Sequence, residues 1–140
     1  MQTSKVNDDM ANVTINLAAL ERITEEKAVK GIQRAALAGE AITKANLSRP
    51  GTGRIYGKHQ ASAPGEPPAV DTGRLRNATQ ADTQVRRDGD DIVGRVVANT
   101  EYAHALEVGT ERIAPRPFLG LLATDHTDDL RDAFVAGASD

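Results

Sequence analysis

Apolar residues recur at helical spacing from about residue 16 to 47, at Leu20, Ile23, Ala28, Ile32, Ala35, Ile42 and Ala45. The segment holds no Pro and is rich in Ala, Glu, Lys and Leu. It predicts one long N-terminal helix, with Asn16 or Thr14 as its cap. Val29, Ala36 and Leu37 widen the apolar sector. Gly31 and Gly39 weaken such a helix but let another backbone come close. At 1.5 Å per residue the helix would be about 45 Å long, so it either kinks at a glycine or projects onto something else.

Further along, the period changes. Thr83 to Arg87 reads as a strand, and Ile92 to Ala98 as a second, richer in β-branched residues. Between them, Asp88-Gly89-Asp90-Asp91 supplies turn residues, so an antiparallel hairpin is expected. Asp71 to Arg76 could open a short helix capped by Asp71 or lead into a strand. Thr100 to Glu107 predicts a short helix with Thr100 as N-cap and Gly109 ending it in a left-handed conformation. A loop with Arg112, Arg116 and two prolines follows, and Pro117 is expected in the first turn of a final helix. Leu119, Leu122, His126, Leu130, Phe134 and Val135 lie near one face of that helix.

Residues 48–70 break the pattern. Four of the six prolines lie there, Pro50, Pro64, Pro67 and Pro68, with Gly51, Gly53, Gly57 and Gly65. Its large apolar residues are only Ile55, Tyr56 and Val70. So long a stretch without a core pattern reads as an extended, mobile arm. The expected fold is α+β in a single domain, residues 1–140. Helix 16–47 is followed by the arm 48–70, then by a body over 71–140 with a small antiparallel sheet, a short helix and a C-terminal helix. No internal repeat is visible, so a solenoid is not indicated.

Composition adds a constraint. Ten Leu, ten Val, seven Ile and two Phe make 29 of 140 residues, while Ala alone contributes 22. Apolar burial yields only ~25 cal/mol per Å², and alanine has little area to bury. The core is therefore thin, and the chain is either marginal or finds burial in an oligomer. Charge is uneven too. From Ser48 to Arg76, Arg49, Arg54, Lys58, Arg74 and Arg76 face only Glu66 and Asp71, whereas Asp125 to Asp140 holds five Asp and one Arg. The net charge of −3 argues against a globally basic nucleic-acid binder. With no Cys, disulfides and thiolate sites are excluded. Neither a membrane span nor an apolar signal segment is present.

The candidate chemistry is weak. Asp71-Thr72-Gly73 matches the aspartic-protease triplet. There two Asp share a proton, and Arg74 beside them would favour ionisation of both. Pro67-Pro68-Ala69-Val70 is also not the apolar strand that precedes such a triplet. Gly51 to Lys58 is one residue too long for a phosphate loop, with His59 where a magnesium-binding hydroxyl belongs. His59, His104 and His126 have no metal-site spacing, no Asp-rich calcium loop occurs, and no cofactor is indicated. The basic arm could touch phosphates, without the aromatics that base stacking needs.

Two blocks together are more specific. One is Ser62-Ala63-Pro64-Gly65-Glu66-Pro67-Pro68-Ala69-Val70-Asp71-Thr72-Gly73-Arg74-Leu75-Arg76. The other runs from Tyr102-Ala103-His104-Ala105-Leu106-Glu107-Val108-Gly109-Thr110 to Pro115-Arg116-Pro117-Phe118-Leu119. Their order and spacing resemble the tail-component family of long-tailed double-stranded DNA phages, also described as minor tail or tail-completion proteins of head–tail joining. That family places an "A-P-G-x-P-P-x-x-x-T-G-x-L" arm after a long helix, then "Y-A-x-x-x-E-x-G-T" and "P-x-P-F-L". The resemblance covers residues 17–135. Gly120-Leu121-Leu122-Ala123 departs from the family's usual Arg-Pro-Ala, which leaves the start of the last helix open.

The resemblance implies a non-enzymatic virion protein of the neck, assembled in the host bacterial cytoplasm as a sixfold ring around the DNA channel. Its partners would be copies of itself and the head-closure, tail-terminator and tail-tube proteins. Pro64, Gly65, Pro67, Pro68, Asp71 and Gly73 would form an arm on a neighbouring subunit. Tyr102, Glu107, Gly109 and Thr110 would fix a turn that presents Arg116 and Phe118, the latter inserted into the core or an interface. Arg49, Arg54 and Lys58 would be the residues to face DNA in the channel. A non-specific DNA-contacting adaptor and, more distantly, an aspartic-type hydrolase remain open.

Overall fold

The computed structural model describes residues 2–7, 10–17, 23–48, 53, 55–56, 59–60, 73–82, 84–111 and 114–139. The architecture is α+β, as expected. Strands β1 (Gln2–Asn7) and β2 (Met10–Asn16) come first, then helix α1 (Glu25–Asn46) and the two-residue strands β3 (Ile55–Tyr56) and β4 (His59–Gln60). Helix α2 (Arg74–Ala78), strands β5 (Thr79–Ala81), β6 (Arg86–Asp88) and β7 (Asp91–Ala98), and helices α3 (Ala103–Val108), α4 (Leu121–Thr124) and α5 (Thr127–Ala138) complete the chain. The main sheet is antiparallel in the order β1-β2-β7-β5, with β6 also on β7, and β3 and β4 pair separately.

The sheet is larger than the expected hairpin, and the long helix correspondingly shorter. Residues 10–16 alternate strictly enough to form a strand: Ala11, Val13 and Ile15 are buried and register against Val96, Gly94 and Ile92 of β7. Thr14 and Asn16 are therefore strand residues and not helix caps. The cap of α1 is Thr24, whose hydroxyl accepts the Lys27 backbone N–H at 3.3 Å.

The expected turn is confirmed. Gly89 has φ +58° in the first of two loop positions between the paired Asp88 and Asp91, the geometry that suits a tight hairpin. The strand before it differs from expectation. It comes in two pieces, Ala81 pairing with Val96 and Arg86 with Val93, and the Asp82 backbone N–H extends the first piece by bonding the Arg95 carbonyl oxygen at 2.8 Å. The Asp82 side chain then accepts the Gln84 backbone N–H at 3.0 Å, and Thr83, the expected start of the strand, lies outside the described residues.

The expected final helix is two helices. Helix α4 stops at Thr124, α5 begins at Thr127, and Pro117 precedes both. Leu119, Leu122, Leu130 and Phe134 are buried as their spacing predicts, whereas Val135 is 55% exposed. The short helix begins at Ala103, not at Thr100, and no side chain caps it. The Thr100 hydroxyl is buried without a partner. Gly109 has φ +80° but ψ 174°, so it ends α3 in an extended form open to glycine and not in a left-handed turn.

The thin core is filled by close approach. Helix α1 lays Ala28, Ile32, Ala35, Ala36 and Gly39 on the sheet, and α5 packs antiparallel along its flank. A Cβ on Gly94 would sit 2.7 Å from Ile32, and one on Gly39 3.0 Å from Val96. Between the helices, a Cβ on Gly31 would meet the Phe134 ring at 2.6 Å, and one on Gly137 would meet the Lys30 carbonyl oxygen at 2.7 Å and the Gly31 Cα at 3.0 Å. Of the two α1 glycines read from the sequence as sites of close backbone approach, Gly31 does that work, whereas Gly39 makes room for the side chains of Val96, Leu122 and Leu130.

This packing reverses an intrinsic preference. In a free helix Gly→Ala is worth up to about 1 kcal/mol of stabilisation. Here Gly137→Ala should instead destabilise by about 1–3 kcal/mol, because the added methyl meets backbone that cannot rotate away. Urea unfolding of the purified protein checks the sign.

Candidate functional site

The second sequence block folds around one buried carboxylate. Glu107 lies in the last turn of α3 and is 4% exposed. Its Oε1 accepts the backbone N–H of Leu119 at 2.8 Å and of Gly120 at 3.1 Å, and Oε2 accepts that of Phe118 at 3.3 Å. These three groups immediately precede α4 and have no helical acceptor of their own. A buried carboxylate is tolerable when such donors surround it. The Arg116 N–H adds a 2.7 Å bond to the Leu106 carbonyl oxygen, so α3 and the loop 114–120 are joined at two levels. Phe118 is fully buried and packs in this chain's own core with Leu119 and Ala103.

A second cluster joins α2 to the start of α3. Arg74 donates to both oxygens of Glu101 at 2.9 Å and lies 5.3 Å from the centre of the Tyr102 ring. Gly73, with φ +78°, precedes α2 at its cap position. The Glu101 backbone N–H first, and then Arg74, hold its carboxyl below the ordinary carboxylate range. The group is exposed, so the pair mainly orients the two helices and adds little stability.

Tyr102, Glu107, Gly109, Arg116 and Phe118 thus belong to one folded unit, and Gly73 approaches it through Arg74. Thr110 is exposed just beyond Gly109. Pro64, Gly65, Pro67, Pro68 and Asp71, and the basic Arg49, Arg54 and Lys58, lie outside the described residues. The sequence reading missed Arg74 and Glu101 as a pair. Their separation of 27 positions leaves no local signal. His104 is exposed, and His126 bonds Asp129 at 3.0 Å and approaches Asn46 at 3.5 Å. Among the described residues no three His, Cys, Asp or Glu side chains converge as a metal site, and no helix is long and apolar enough to cross a membrane.

Two measurements follow from these contacts. Glu107→Ala should cost about 3 kcal/mol or more in urea unfolding, since it strands three buried donors, and should raise amide exchange at residues 118–120. Glu107→Gln, which keeps one acceptor, should lose less. The Glu101 carboxyl, held low in the folded state, contributes its small stability above its unfolded pKa and loses it as pH falls through the folded value. In an NMR titration, Arg74→Ala should raise the Glu101 pKa only part of the way, because the backbone N–H remains.

The model of the family described as "Bacteriophage HK97-gp10, putative tail-component" matches residues 13–109. No curated protein and no solved structure matches the chain. The matched span takes in the second half of β2, α1, the Pro-rich block and the Tyr102–Gly109 block. It ends before Pro115–Leu119, which Glu107 ties back to it. With more than two thirds of its length matched, the chain belongs to the HK97-gp10-like family of phage tail components.

Proposed function

We propose that the chain is a structural subunit of the virion, assembled in the host cytoplasm as a ring at the head–tail junction and performing no catalytic step. Family membership over residues 13–109 carries this reading. Three features support it. The core is small and alanine-rich, as suits a subunit that gains further burial from identical neighbours in a closed ring. The buried Glu107 spends its hydrogen bonds on the chain's own backbone, which suits a rigid scaffold for a presented loop. The acidic C-terminal helix and the basic middle of the sequence give complementary charge for docking.

In this reading residues 1–140 act as one domain, and the Pro64–Val70 arm orders on a neighbouring copy or ring, as disordered segments do on binding. Tyr102, Gly109, Thr110 and Arg116 hold the loop that meets the next component. Arg49, Arg54 and Lys58 face the DNA in the channel.

Mass measurement across concentration, alone and with the tail-tube and head-closure proteins, tests the reading. The expected result is a closed oligomer of about six copies. A monomer under every condition, with strong salt-sensitive binding to DNA, would replace it with the adaptor reading. Deleting residues 60–70 should leave a folded monomer that no longer assembles, and normal virion joining by that variant would sink the role given to the arm.

A further inference from the structure

The sheet has a second face. Gly94 and Val96 point at α1, so Val93, Arg95 and Val97 point the opposite way, beside Thr14, Asn12 and Met10 respectively. Two polar groups at the centre of this face are unsatisfied. Asn12 is 7% exposed and its Oδ1 has no hydrogen-bond partner. The Arg95 Nε is likewise buried and unpartnered, and Arg95 makes no ion pair among the described residues. Asn12 and Arg95 are cross-strand neighbours, flanked by half-buried Met10, Thr14, Val93 and Val97. A guanidinium and an amide left wanting in a partly apolar surround form the centre of an interface, where arginine is enriched and desolvated pairs dominate.

Helix α5 offers the complement. Its solvent face carries Asp128, Asp132 and Val135 at positions i, i+4 and i+7, which align on one stripe. Asp128 pairs with Arg131 at 3.3 Å, the Asp132 side chain has no hydrogen bond or ion pair among the described residues, and Val135 is one of three large apolar side chains left exposed there. The stripe belongs to the helical layer and the Asn12–Arg95 pair to the far side of the sheet. One copy cannot bring the two together, but successive copies can.

We infer that the outer face of α5 in one copy docks on the Asn12–Arg95 face of the sheet in the next. Asp132 accepts from Arg95, and Val135 packs against Val93 and Val97. Such a contact is heterologous: each copy uses two different surfaces, so a fixed rotation between copies closes a ring. The inference rests on the ring reading above and names the surfaces that would build it.

The absence of cysteine makes a clean test. Copies bearing Val97→Cys and copies bearing Val135→Cys are mixed under the conditions in which the wild-type chain assembles, and then oxidised. Thr14→Cys replaces Val97→Cys should the latter impair folding. The expected product is a disulfide-linked dimer containing one copy of each variant. Asp132→Arg, at an exposed position, should weaken self-association about tenfold or more. Linkage confined to like copies, or wild-type assembly by both the cysteine mixture and Asp132→Arg without any cross-link, overturns the inference and leaves the ring reading standing. A wild-type chain that stays monomeric with and without its neck partners overturns both.

Discussion

Helix α1 is held against the sheet and against α5 at distances only glycine and alanine permit. Gly39 lies under Val96, Gly94 under Ile32, and Gly31 and Gly137 bring two helix backbones into contact. A chain with few large side chains cannot fill a wide gap between layers, so it must narrow the gap. Each alanine buries little area, but many buried together at short range exclude water from both faces of α1. The rest of the chain is arranged around that seat. Phe118, Leu119, Leu122 and Phe134, the bulkier side chains of the C-terminal part, close the core where alanine would leave voids.

Once the layers are fixed, the Glu107 carboxylate decides where the chain goes after α3. It binds the three N–H groups ahead of α4, so the loop is locked to α3 from within. The charge is buried but well supplied with donors, which makes the junction rigid and intolerant of substitution. Arg74, stacked near Tyr102 and paired with Glu101, performs a weaker version of the same task at the surface. The family's sequence signature thus corresponds to a mechanical joint, with no reacting group among its described members.

The uneven charge of the chain gains meaning from this arrangement. Asp128 and Asp132 of α5 lie on its outer stripe, while Arg95 sits on the far side of the sheet with its Nε unpartnered. Within one copy the two cannot neutralise each other. In the proposed ring they would supply both register and attraction across copies.

The sequence by itself determined the local features that depend on neighbouring residues. These include a long helical period within residues 16–47, of which 25–46 form the helix, the Gly89 turn, the β-branched strand from Ile92 to Ala98, the close backbone approach at Gly31, and the buried spacing of Leu119, Leu122, Leu130 and Phe134. It also carried the paired motifs of the tail-component family. Features that needed distant partners were not legible. Strand β2 became a strand because its alternation meets β7, some 80 positions away. The entry into α4 was not legible either, because Glu107, 11 to 13 residues upstream, takes the N–H groups of residues 118–120 that precede it. The unpaired Asn12 and Arg95 are ordinary polar residues until the register sets them side by side. Short-range preferences are written in the order of residues, whereas a buried carboxylate's donors and the cross-strand neighbours on a sheet's second face exist only after the layers have closed.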